Sequence, residues 1–132
     1  MRAQLLSAIT SATSTLTQFA VSQELPWEQD GLPLYLKNKK KIYVDKEHKT
    51  ETTMFSVLGG NNILQDDIIT NAYLAVDAKN QPTQLDTFIT RVLGASTSTG
   101  ITNFKFESDY TADKQEDVLI YTFEFRLSTI KQ

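Results

Sequence analysis

ITNFKFESDYTADKQEDVLIYTFEFRLST, residues 101–129, is the stretch that decides the fold. Thr102, Phe104, Phe106, Ser108 and Tyr110 alternate with Ile101, Asn103, Lys105, Glu107 and Asp109, the two-residue period of a half-buried strand. Leu119, Tyr121, Phe123, Phe125 and Leu127 alternate likewise with Val118, Ile120, Thr122, Glu124 and Arg126. Between them the charged tip Ala112-Asp113-Lys114-Gln115-Glu116-Asp117 turns the chain, so the stretch predicts one long antiparallel hairpin. A register with Phe104 opposite Phe125 also sets Phe106 against Phe123, Tyr110 against Leu119 and Lys105 against Glu124, a favourable opposite-charge pair. So much sequence given to a sheet, with no catalytic cluster in it, points to a chain built to pack or to assemble.

Upstream, Leu5, Ile9, Ala12, Leu16 and Phe19 recur at three- and four-residue spacing, which predicts an amphipathic helix over 5–19 with a Ser/Thr outer face. Two prolines and a glycine in Leu25-Pro26-Trp27-Glu28-Gln29-Asp30-Gly31-Leu32-Pro33 then require an irregular loop. Leu34-Tyr35-Leu36 and Ile42-Tyr43-Val44 read as short strands around a turn of Lys37, Asn38, Lys39, Lys40 and Lys41. A third strand is expected over 52–58, a turn at Gly59-Gly60-Asn61-Asn62, and a fourth strand over 67–77 with Ile68, Thr70, Ala72, Leu74 and Val76 on one face. Leu85, Phe88, Ile89, Val92 and Leu93 fit one helical stripe, with Pro82 suited to its first turn and Gly94 placed to end it. Thr97-Ser98-Thr99-Gly100 leads into the hairpin. This order predicts a single α+β domain over 1–132, its mostly antiparallel sheet carrying the N-terminal and internal helices on one face.

A chain of 132 residues can bury one core, and 40% apolar with 22% charged residues is an ordinary globular balance. The net charge of -3 argues against a dedicated DNA-binding module. With no cysteine there is neither a disulfide framework nor a thiolate metal site. No apolar run approaches the roughly 20 residues of a membrane span, so no membrane association is expected. The first 23 residues lack acids, as transit peptides do, but Arg2 is their one basic residue; a retained structural helix is the expectation.

Residues with chemical potential read more simply as structure. His48, the one histidine, sits in the charged Asp45-Lys46-Glu47-His48-Lys49 and reads as a solvated turn residue, because a catalytic base needs a pocket and partners. Asp66-Asp67 and Glu116-Asp117 read as solvated charge at strand ends or hairpin tips rather than converging hydrolytic carboxylates or cation ligands. Gly59-Gly60 lacks the Lys-Ser/Thr of a phosphate loop. No enzyme, cofactor or metal site is expected. Lys37, Lys39, Lys40, Lys41, Lys46 and Lys49, with Tyr35 and Tyr43 near, could be a solvated turn, a contact for a partner protein, or a phosphate-binding surface, in that order of preference. Trp27 is either a lid over the core, which is preferred, or an exposed interface anchor.

The layout resembles the tail terminator (tail-completion) proteins of long-tailed bacteriophages, whose parts correspond to 5–19, 34–77, 85–93 and 101–129. The block Pro33-Leu34-Tyr35-Leu36-Lys37-Asn38-Lys39-Lys40-Lys41-Ile42-Tyr43-Val44-Asp45 and the segment Asp77-Ala78-Lys79-Asn80-Gln81-Pro82 are similar to stretches of such proteins. The resemblance implies a non-enzymatic virion protein, made in the host cytoplasm, that forms a ring, commonly a hexamer. That ring caps the tail tube and offers a joining surface to the neck or head-completion protein, with DNA only passing through its channel. Trp27, Lys37, Lys39, Lys40, Lys41, Asp113, Lys114, Glu116 and Asp117 are then the candidate interface residues. The alternatives are another neck or head–tail connector component, or a small nucleic-acid-binding module using residues 37–49.

Overall fold

The computed structural model describes residues 1–27, 31–56, 62–95, 100–112 and 117–131. In chain order its elements are α1 (Arg2–Thr13), β1 (Ala20–Ser22), α2 (Leu34–Lys37), β2 (Lys41–Val44), β3 (His48–Ser56), β4 (Asn62–Asp77), α3 (Leu85–Leu93), β5 (Thr102–Ala112) and β6 (Asp117–Lys131). The strands form one α+β-type sheet in the order β1-β2-β4-β6-β5, with β3 also on β4. Only β1 and β2 run parallel; every other pair is antiparallel.

β4 is the spine. Along one side it pairs continuously with β6, from Leu64 opposite Lys131 to Asp77 opposite Val118. Its other side is shared: β3 takes the N-terminal half, His48 opposite Ile69, and β2 the C-terminal half, Ile42 opposite Leu74. Ile42, Val44, Ala72, Leu74, Val76, Phe123 and Phe125 form the buried face on which Leu5, Leu6 and Ile9 of α1 and Leu85, Phe88 and Val92 of α3 close the core. Phe19 stacks on Phe88 with ring centres 4.3 Å apart. The opposite face has a smaller apolar cluster, in which α2 lays Tyr35 against Tyr43, Ala75 and Val118.

The hairpin forms as expected, with Phe106 opposite Phe123, Tyr110 opposite Leu119 and Lys105 opposite Glu124. One register assignment is corrected: Asn103, not Phe104, faces Phe125, because a bulge between Asn103 and Lys105 takes up Phe104 as the extra residue. That slip turns Phe104 to the other face, where the Arg126 guanidinium lies 3.6 Å over its ring.

α3 covers its expected apolar stripe, Leu85–Leu93, and ends where the Gly94 N–H caps the Thr90 carbonyl, but Pro82 precedes the helix instead of sitting in its first turn. α1 does not reach Phe19. The Thr13 hydroxyl folds back on the Ile9 carbonyl, weak helix formers follow, and tight turns (Leu16 N–H to Thr13, Phe19 N–H to Leu16) replace the helix. Leu16 and Phe19 still reach the core. The chain then enters β1, which the sequence reading did not anticipate.

Leu34-Tyr35-Leu36 is a helical turn, not a strand. Pro33 precedes it with its carbonyl accepting the Leu36 and Lys37 N–H groups, and Asn38 closes it on the Leu34 carbonyl. β3 starts at His48, four residues before the expected strand, so His48 belongs to a strand rather than a turn. β4 likewise begins earlier, at Asn62. The expected Gly59-Gly60-Asn61 turn, the Val57-Leu58 strand end, Thr97-Ser98-Thr99, the Glu28-Gln29-Asp30 part of the loop, and Asp113, Lys114, Gln115 and Glu116 of the tip lie outside the described residues.

Candidate assembly surface

The sheet face opposite α1 and α3 carries Trp27 and Lys41 of the candidate interface. Trp27 reaches it from the loop after β1, where its indole N–H donates to Asp45 Oδ2 at 2.8 Å. Its ring meets Tyr35 and Tyr73 edge-on, at 5.8 and 5.4 Å between centres, while Tyr35 and Tyr73 stack at 5.0 Å. Trp27 thus covers the small cluster on one side and is 48% exposed on the other. It lids the smaller cluster rather than the main core, and it leaves an aromatic edge exposed. Burial pushes the phenol pKa values of Tyr35 and Tyr73 above their ordinary 10.0.

Asp45 joins this cluster to the lysine region. Its Oδ1 accepts the Lys46 N–H, its carbonyl accepts the Thr70 hydroxyl, and its own N–H donates to the Asn71 carbonyl. Lys37 ends α2, Lys41 opens β2, and Lys40, Lys41, Lys46 and Lys49 are exposed. Lys40 ties three strands at one end of the sheet: its N–H donates to Ala75 of β4 and its carbonyl accepts from Ala20 of β1. Asp117 opens β6 at that same end, with its carboxylate 3.8 Å from Lys79 and its carbonyl on the Ala78 N–H. The fold therefore brings the lysine turn and the root of the charged hairpin together at one end of the sheet.

Asp66-Asp67 lies inside β4, not at a strand end, so Asp67 is a correction to the solvated reading. It is 4% exposed; Ser128 and Gln65 donate to its Oδ1, and the Arg126 guanidinium stands 3.6 Å from Oδ2. The Ser128 and Gln65 bonds, with Arg126 beyond them, hold its carboxyl below the usual carboxylate range despite burial. Arg126 also bonds Glu124 at 3.0 Å. This network locks β4 to β6; its sequence signal was the same-face alternation of Glu124, Arg126 and Ser128. Arg2 was also missed: its guanidinium donates to the carbonyls of Val44, Gln23 and Glu24, fastening α1 to β2 and to the segment after β1. Beside it α1 and Gln23 line a shallow hollow of about 390 Å³.

Among the described residues no group of three or more His, Asp or Glu is gathered as a metal site would require. Nor is any described helix long and apolar enough to cross a membrane. Among the described residues three strands have a single strand neighbour each: β5 has β6, β1 has β2 and β3 has β4. No protein-family model matches the chain, and no curated protein matches it either.

Proposed function

We propose that this chain is a structural virion protein that caps the tail tube of a long-tailed phage as a homo-oligomeric ring and joins it to the neck. The observation that carries the reading is that, among the described residues, each side of one sheet ends in a strand with no further strand partner. Two different margins on opposite sides favour heterologous contacts, and such contacts close into rings when the rotation permits. The element order of the resembled family supports the same reading. Trp27 and the lysine end of the sheet supply a polar, aromatic surface suited to the tail tube protein or the neck protein, since tryptophan anchors interfaces. A net charge of -3 suits a channel wall past which DNA slides.

Native mass spectrometry, across concentration and with purified tail tubes added, tests the proposal. A discrete closed oligomer, with a hexamer expected, supports it; a monomer both alone and with tubes overturns it. Strong DNA retention that falls steeply with salt would favour a nucleic-acid module built on residues 37–49 instead.

A further inference from the structure

We infer that the ring is closed by strand addition, the outer edge of β5 in one protomer pairing antiparallel with β1 of the next; this contact rests on the ring reading above. β5 is exposed from Phe104 to Asp109, and its outer backbone groups are a template for another strand. A lysine often guards such an edge, but Lys105 is folded along its own strand onto Glu107 at 2.8 Å.

The identity of the incoming strand follows from height, direction and charge. Glu107 and Asp109 pair with Thr122 and Ile120, which pair with Tyr73 and Ala75 of β4. On the other margin, Lys41, Ile42 and Tyr43 stand level with Ala75, Leu74 and Tyr73, and β1 places Ala20, Val21 and Ser22 beside them. The edge of β5 and the edge of β1 therefore stand at one height on opposite sides of the sheet. β5 runs with β4, whereas β1 and β2 run against it. A rotation that keeps every protomer upright brings the two edges together antiparallel, Asp109 facing Ala20, Ser108 facing Val21 and Glu107 facing Ser22.

Charge agrees with this register. Asp109 and Lys41 lie on the same sheet face, away from α1 and α3, as does Glu107, which Lys105 already engages. In the joined sheet Lys41 of one protomer lies two strand spacings, roughly 10 Å, from the neighbour's β5 backbone, a gap that a lysine and a carboxylate side chain span between them. Lys40 adds a second exposed positive charge at the same corner. A second copy of this chain is thus the strand that fits by height, by sense and by sign.

Two measurements test the contact. Asp109→Lys or Lys41→Glu alone is expected to weaken association on the order of tenfold, and the two together in one chain to restore it. All three positions used, including Ala20, are exposed, and circular dichroism checks that each variant folds. Because the chain has no cysteine, mild oxidation of an equimolar mixture of Ala20→Cys and Asp109→Cys proteins is expected to give the mixed disulfide. A closed oligomer in which the mixed disulfide does not form and the charge swap restores nothing overturns strand addition and leaves the ring standing. A protein that is monomeric alone and with tail tubes overturns both.

Discussion

Asp67 has a role that its sequence context conceals. Two adjacent aspartates look alike in a string, yet strand alternation sends Asp67 toward Ser128 and Arg126 while Asp66 faces the other way. Since its folded pKa lies below the ordinary 3.8, the carboxylate stabilises the fold above that value, and the stabilisation is lost as pH falls through the lower folded value. Asp67→Asn is therefore expected to lower Tm at pH 7, and the gap from wild type to close as the pH drops below 3.8, as followed by thermal melts against pH. Lys40 is a second concealed residue. It sits at φ 69°, a left-handed conformation that costs a side chain-bearing residue roughly 1–2 kcal/mol. A glycine or asparagine would have announced that turn; a lysine inside a run of lysines does not.

Helix α3 was legible because Leu85, Phe88, Ile89, Val92 and Leu93 leave no strand pattern that would bury them together. Phe88 is fully buried and stacked on Phe19, so Phe88→Ala is expected to cost about 3–5 kcal/mol in urea unfolding. The end of α1 was not legible. Leu16 and Phe19 keep helical spacing, but two successive turns deliver them to the core just as well, and spacing alone does not separate the two routes. Near Leu34-Tyr35-Leu36 three residues are too few for a period to declare itself, and Pro33 decided for the helical turn. The bulge at Phe104 leaves alternation intact on both sides of it, so the sequence showed the hairpin without showing its slip. Of the candidate surface, Trp27 and the lysines were visible as residue types. Their union through Asp45, and the matched margins of β1 and β5, depend on pairings between distant segments.

The sheet as assembled has an uneven distribution of support. β4 between Leu64 and Asp77 is flanked almost throughout by β6 on one side and β3 or β2 on the other, whereas among the described residues β5, β1 and β3 have no strand on their outer sides. Hydrogen exchange is expected to be slowest in the β4 amides, opening only with global unfolding, and fastest along the outer edges of β5, β1 and β3. The proposed strand addition is expected to slow exchange selectively at the β5 and β1 edges and to leave β3 unchanged.

β6 is central in space but follows the other described strands in sequence, and it supplies the neighbour for both β4 and β5. On a translating ribosome the sheet cannot close until this segment emerges. Until then Phe106 and the apolar stripe of β4 lack the strand that covers them, and the nascent chain carries an incomplete sheet with sticky edges. Completion of the fold thereby waits for β6, and a truncation before β6 would leave a chaperone substrate rather than a smaller domain.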